Sequence, residues 1–200
     1  MILWDVDTQV DFMLPHGKLY VPGAEETIPA MKQLVEAARA SGVVHVASAD
    51  DHELTDAEIS DDPDLVTTYP PHCLRGTHGA RKIPETDQVD PVPMTLEPLP
   101  DRYLEGREFL LLKKSFDVFT NPNAERLLSW FDPDEILVFG VATDVCDDAA
   151  IRGFLDRGRQ VRFVEDAARG LDEARVAASL AAWRGRGVQF TSVAEVLDSL

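Results

Sequence analysis

From its first residue the chain alternates short apolar runs with stretches whose apolar residues recur every three or four positions. Five runs rich in Val, Ile, Leu and Phe stand at residues 1–6, 43–48, 109–112, 136–141 and 160–164, with a weaker sixth at 188–191. Continuous apolar runs of this length suit strands covered on both faces. Between the first two, Ile28, Met31, Leu34, Val35 and Ala38 share one helical stripe, and Gly42 suits a left-handed cap at its end. Leu127, Leu128 and Phe131 mark a helix before the fourth run, Val145, Ala149, Phe154 and Leu155 one after it, and residues 171–185 a third. The pattern predicts an α/β protein of three layers, α/β/α, with a doubly wound, mostly parallel sheet of about six strands.

Two hundred residues suffice for one such domain, so residues 1–200 are expected to form a single unit. The regular alternation fails only over residues 50–108, where prolines at 63, 70, 71, 84, 91, 93, 98 and 100 break any long periodicity. A connection that long in a compact domain is usually functional, and an active-site loop or insertion is expected there.

Composition narrows the partners. Hydrophobic residues at 44% and charged residues at 28% are ordinary for a globular chain. The excess of 36 acidic over 19 basic residues, a formal charge of −17, repels phosphate backbones and anionic lipid, so no nucleic acid and no membrane is expected as a partner. The N-terminal segment Met1-Ile2-Leu3-Trp4-Asp5 has no basic leader character, and a cytoplasmic location is expected. Cys73 and Cys146 are too few for a disulfide framework, which leaves each as a candidate free thiol.

Ligands of open parallel sheets bind beyond the carboxyl ends of the strands, so polar residues directly after apolar runs come first. Asp7 follows the first run, Asp50 and His52 the second, Lys113 the third, and Gly140 to Cys146 the fourth. These are a carboxylate, a metal-ligand pair, a cation and a thiol. Singly, each has a plain structural explanation as a cap, a solvated charge or a small buried apolar group. Together they form a thiol nucleophile, a base to take its proton, and an ammonium that offsets both anions. Cys146 also opens a helix, whose N-terminus is expected to favour thiolate and to offer free N–H groups to an oxyanion.

Three segments carry a more specific signal. Asp7-Thr8-Gln9-Val10-Asp11-Phe12, Lys113-Lys114-Ser115-Phe116-Asp117-Val118-Phe119 and Gly140-Val141-Ala142-Thr143-Asp144-Val145-Cys146 resemble the signature segments of the isochorismatase-like cysteine hydrolases. The resemblance runs from residue 1 to about residue 170 and implies a Rossmann-like hydrolase fold. It implies Asp7 as general base and later acid, Lys113 rather than Lys114 as the cation, and Cys146 as nucleophile. It also implies a cis peptide at Val141–Ala142, with the amides of Ala142 and Cys146 as the oxyanion donors.

Within that family the sequence is similar to the nicotinamidase/pyrazinamidase branch. Asp50-Asp51-His52 and Tyr69-Pro70-Pro71-His72-Cys73 resemble its metal segments, implying a divalent ion (Zn, Mn or Fe) on Asp50, His52 and His72. Glu58 stands where the family has a further histidine, and Asp64 is a rival for that role. By the same resemblance Phe12 and Tyr69 sandwich a substrate ring, and Gln9 helps order the metal's waters. His78 replaces a proline of the family's pattern, Cys73 and His45 are expected to be packing residues, and His16 and His78 loop residues.

The implied reaction is hydrolysis of a small-molecule amide through a thioester, nicotinamide to nicotinate and ammonia, in a homo-oligomer. Two alternatives stay open: an amidase of carbamoyl or ureido compounds, since residues 79–108 form a long insertion, and a catalytically silent binding module of the same fold.

Overall fold

The computed structural model describes residues 1–200. Seven strands form one sheet: β1 (Ile2–Val6), β2 (Val44–Asp50), β3 (Val92–Met94), β4 (Glu108–Lys113), β5 (Glu135–Val141), β6 (Gln160–Arg169) and β7 (Gln189–Thr191). Their spatial order is β3-β4-β2-β1-β5-β6-β7, and every pairing is parallel. After β4 at one side the chain returns to the centre and lays β5 beside β1, so the direction of winding reverses between these two strands. In open α/β sheets that reversal opens a crevice at the carboxyl edge.

Helices α1 (Val10–Met13), α2 (Ile28–Ala40), α3 (Pro122–Phe131), α4 (Cys146–Asp156), α5 (Glu173–Gly185) and α6 (Val193–Ser199) cover the two faces. Leu127, Leu128, Ile151, Phe154 and Trp183 pack on one face against Trp4, Phe109 and Phe163. Met31, Leu34, Val35, Val193 and Val196 pack on the other against Leu3, Leu137 and Phe139. The α2 stripe predicted from spacing is thus the buried one. No helix is long and apolar enough to cross a membrane.

The sheet has one strand more than the apolar runs predict. Strand β3 lies inside the proline-rich segment and contains Pro93, which an edge strand tolerates because one side of its ladder faces no partner. Strand β6 also runs five residues past the predicted end, beyond a register shift opposite Val138 and Gly140. Gly140 has φ +136°, and a Cβ there would lie 2.1 Å from the carbonyl oxygen of Val6. Glycine lets β5 approach β1 this closely at the crevice.

The long connection is anchored to the sheet. Residues 79–83 run beside 8–11, with Val10 N–H donating to Arg81, Ile83 N–H to Thr8 and Asp11 N–H to Gly79. Beneath them Lys82 Nζ donates to Asp5 Oδ2 at 2.7 Å and to Thr8 Oγ1 at 2.6 Å, with all three side chains buried. Burial opposes the Asp5 charge, but Lys82 and His45 hold its pKa below the ordinary carboxylate value. His45 is a buried strand residue, as the sequence predicts, with Nε2 3.4 Å from Asp5 Oδ2.

Removing one member of a buried pair leaves the other charge uncompensated, whereas replacing both with apolar groups is often neutral. Lys82→Met should therefore lose about 3–5 kcal/mol in urea unfolding, and Asp5→Leu combined with Lys82→Met should recover most of that loss. A single variant as stable as the native protein would show that the pair does not anchor the connection.

Candidate functional site

Four neighbouring strand ends bring the predicted groups together. In the order β4, β2, β1, β5, they deliver Lys113, Asp50, Asp7 and, after a short turn, Cys146. Asp50 and Lys113 are direct register partners at the last rung of β2 and β4. All four residues are buried.

Lys113 Nζ lies 2.8 Å from Asp7 Oδ2, pairs with Asp50 Oδ1, and donates to Cys146 Sγ at 3.7 Å. Burial works against the ammonium, yet Asp50 and Asp7 raise its pKa well above the ordinary lysine value. Asp7, in a left-handed conformation at φ +50°, accepts the Ser48 hydroxyl on Oδ1 at 2.7 Å. Its pKa is raised by burial and by Asp50, against the pull of Lys113. The Cys146 thiol is also pushed well up, by burial first and by Asp7 and Asp50, with Lys113 opposing. Burial and the two carboxylates thus oppose the helix N-terminus and Lys113 at this thiol, and Asp7 stands ready to take its proton.

The Val141–Ala142 peptide is cis, as the resemblance implies. Val145 and Asp147 N–H groups both turn back to the Ala142 carbonyl, while the N–H groups of Ala142 and Cys146 donate to no protein acceptor. Asp144 fixes this turn from behind by accepting Leu171 N–H at 2.7 Å and Arg175 Nε at 2.9 Å. That clamp and Ser48 escaped the sequence reading, because their partners are far apart in the chain.

Beside this cluster Asp50, His52, Glu58 and His72 bring one ligand atom each within 4.8 Å of one another, all buried. Asp50 Oδ2 is 3.6 Å from His72 Nε2 and 3.7 Å from His52 Nε2, and Glu58 Oε1 is 3.8 Å from His52 Nε2. Asp50 Oδ2 and His52 Nε2 are buried without a hydrogen-bond partner, a cost the protein would not otherwise bear, and this fits a divalent ion. Asp50 serves both clusters, with Oδ1 on Lys113 and Oδ2 among the histidines. The pKa of Asp50 is held well below the usual range, since Lys113 and the two histidines outweigh its burial.

Glu58 rather than Asp64 joins the group. Its Oε2 accepts Phe116 N–H at 2.8 Å, leaving Oε1 for the centre. Asp64 is exposed and accepts the N–H groups of Val66, Thr67 and Thr68, which depress its pKa and spend its oxygens on its own turn. Cys73 is buried, and its N–H donates to Asp11 Oδ2 at 2.7 Å. His16 and His78 lie exposed.

A narrow pocket opens onto Cys146. Phe12, Leu19, Val21, Tyr69, Val145 and Leu171 form apolar walls, Asp50, Glu58 and His72 one polar end, and no lysine or arginine lines it. Phe12 and Tyr69 both face this pocket, and burial pushes the Tyr69 hydroxyl up to about 12. Gln9 does not line it. Its amide accepts Asp50 N–H at 2.7 Å and donates to the carbonyls of Asp50 at 2.8 Å and Ala80 at 2.7 Å, so it holds the Asp50 backbone like a further strand.

Comparison with known proteins agrees with this fold. The model of the isochorismatase domain family matches residues 2–195. The nicotinamidase/pyrazinamidase of Mycobacterium tuberculosis is 27% identical over 190 residues, 92% of this chain and 94% of that protein. A crystal structure of the pyrazinamidase of Pyrococcus horikoshii in complex with zinc superposes with TM-score 0.77 at 22% identity, over 96% of this chain and 98% of that one. The N-carbamoylsarcosine amidase of Thermoplasma acidophilum has the same fold, with TM-score 0.75 at 22% identity over 96% and 95%.

Next to the nucleophile, Asp147 is fully buried, neither of its oxygens has a hydrogen-bond partner, and burial and then Asp7 raise its pKa well above 3.8. The folded protein keeps this carboxyl protonated at pH values where the unfolded chain has ionised it. Its contribution is therefore fully present below about 3.8 and is lost as pH rises toward the folded-state value. Asp147→Asn should raise the thermal midpoint at pH 7, with the gain vanishing near pH 3; a gain independent of pH would contradict this.

Proposed function

The chain belongs to the isochorismatase domain family, and on that premise we propose that it is a cysteine amidohydrolase of small uncharged amides, acting on nicotinamide to give nicotinate and ammonia. The observation that carries the reading is the contact of Lys113 with Asp7, Asp50 and Cys146, the last two of which line a largely apolar pocket. A flat aromatic amide suits walls that include Phe12 and Tyr69. A carbamoyl amino acid brings a carboxylate, and no lysine or arginine side chain lines the pocket to pair with it.

Cys146 Sγ attacks the amide carbon while Asp7 accepts the thiol proton, and the free N–H groups of Ala142 and Cys146 hold the developing oxyanion. Asp7 then gives the proton to the departing nitrogen, ammonia leaves, and a thioester to Cys146 remains. Water, losing a proton to Asp7, attacks the thioester carbon; the acid leaves and the proton returns to Cys146. Lys113 compensates the negative charge of Asp7 throughout, and its bond to Asp50 keeps the two clusters in register.

Asp50, His52, Glu58 and His72 would hold a divalent ion, whose bound form supplies a Lewis-acid contact for a substrate ring nitrogen. Nitrogen and oxygen donors together suit Zn, Mn or Fe.

Ammonia release from nicotinamide, pyrazinamide and N-carbamoyl amino acids tests the reading. The two aromatic amides should turn over and the carbamoyl acids should not. Cys146→Ala should lose ~10⁴-fold or more of kcat, the scale of losing a nucleophile, while Cys73→Ala stays near the native rate. Turnover of the carbamoyl acids alone would assign the other amidase class, and no turnover of any would leave a binding module.

A further inference from the structure

We infer that Asp56, which has no counterpart among the residues assigned above, is a positioning residue that fixes His52 as a ligand; this rests on the metal-centre reading of Asp50, His52, Glu58 and His72. His52 is completely buried, and its backbone is held by hydrogen bonds from its N–H to Cys73 and from Arg75 to its carbonyl. Those bonds place the residue but leave its ring free to turn. The ring is set by Asp56 Oδ2, 3.3 Å from Nδ1. A carboxylate accepts only, so this contact requires the proton on Nδ1 and leaves the Nε2 lone pair facing Asp50 Oδ2 and Glu58 Oε1.

Asp56 is itself held for this purpose. The same oxygen accepts Glu53 N–H at 2.8 Å and lies 3.0 Å from Lys114 Nζ, which also donates to the Asp51 carbonyl. Lys114 therefore acts here, one residue after Lys113, and the exit of β4 grips the 50–58 loop by three successive side chain or backbone contacts, from Lys113, Lys114 and Phe116. The second histidine is set differently: His72 Nδ1 lies 2.7 Å from the neutral carbonyl of Pro70. The two histidines are thus oriented by partners of different charge, a carboxylate for His52 and a carbonyl for His72.

The test uses the full-length protein and Zn²⁺ alone. Zn²⁺ affinity, measured by competition with a chromophoric chelator, should fall about 10- to 100-fold in Asp56→Ala, the usual effect of losing such a partner. Long-range ¹H–¹⁵N spectra of the metal-free protein, at a pH where both rings are neutral, should show His52 protonated on Nδ1 in the native protein and Asp56→Asn. In Asp56→Ala it should mix both tautomers, with His72 unchanged. A role confined to capping the loop would not move that signature. Native affinity and an unmixed His52 tautomer in Asp56→Ala overturn the assignment. Should Asp56→Ala fail to fold, Asp56→Leu decides: it keeps the volume but removes the acceptor, so weaker Zn²⁺ binding with a mixed His52 tautomer supports the assignment, and native binding with an unmixed tautomer overturns it. A native protein that takes up no Zn²⁺ overturns the metal centre and this inference with it, a result distinct from loss in the variant alone.

Discussion

An ammonium with no access to water has to be surrounded by compensating charge, and the site is organised around that requirement at Lys113. Asp7, Asp50 and Cys146 converge on Nζ from three other strand ends. With two carboxylates and one ammonium, the cluster already carries a negative charge, which together with burial raises the pKa of the thiol beside it. A carboxylate at Asp7 that can take the thiol proton couples attack by Cys146 to proton transfer.

Asp50 extends the same constraint to the second cluster. One oxygen answers Lys113 and the other faces His52 and His72, so the distance between nucleophile and metal ligands is fixed by a single carboxylate. Its backbone is clamped by Gln9, and Gln9 is backed by the segment that Lys82 pins to Asp5. The long connection is thus a wall and a brace: Glu58, Tyr69 and His72 face the pocket, while Lys82 ties the far side to the sheet.

The strand-end groups were legible because each follows an apolar run, and in a parallel sheet that position alone carries them to one edge. Cys146, Lys113, Asp7 and Asp50 needed no knowledge of side-chain direction. The loop residues were less so. Glu58 and Asp64 sit in one acidic stretch, and only the Phe116 amide and the turn at residues 64–68 separate them. The bracing of Asp50 by Gln9 is invisible in the sequence because its partners, Asp50 and Ala80, meet it only in the fold. Strand β3 is three residues long and contains a proline, which leaves no periodicity to read. The thiol's protonation depends on burial, and helix position alone pointed the other way.

Alkylation of Cys146 by iodoacetamide, followed by mass spectrometry across a pH series in Cys73→Ala and in Cys73→Ala combined with Lys113→Met, bears most directly on Lys113 as the organising charge. Methionine keeps much of the aliphatic stem and removes the ammonium. Modification of Cys146 should slow by roughly 10²-fold, the scale of one electrostatic contribution in a dry site, with its pH dependence displaced upward. Coincident curves for the two proteins would contradict the account, because Cys146 would then gain nothing from the cation it touches.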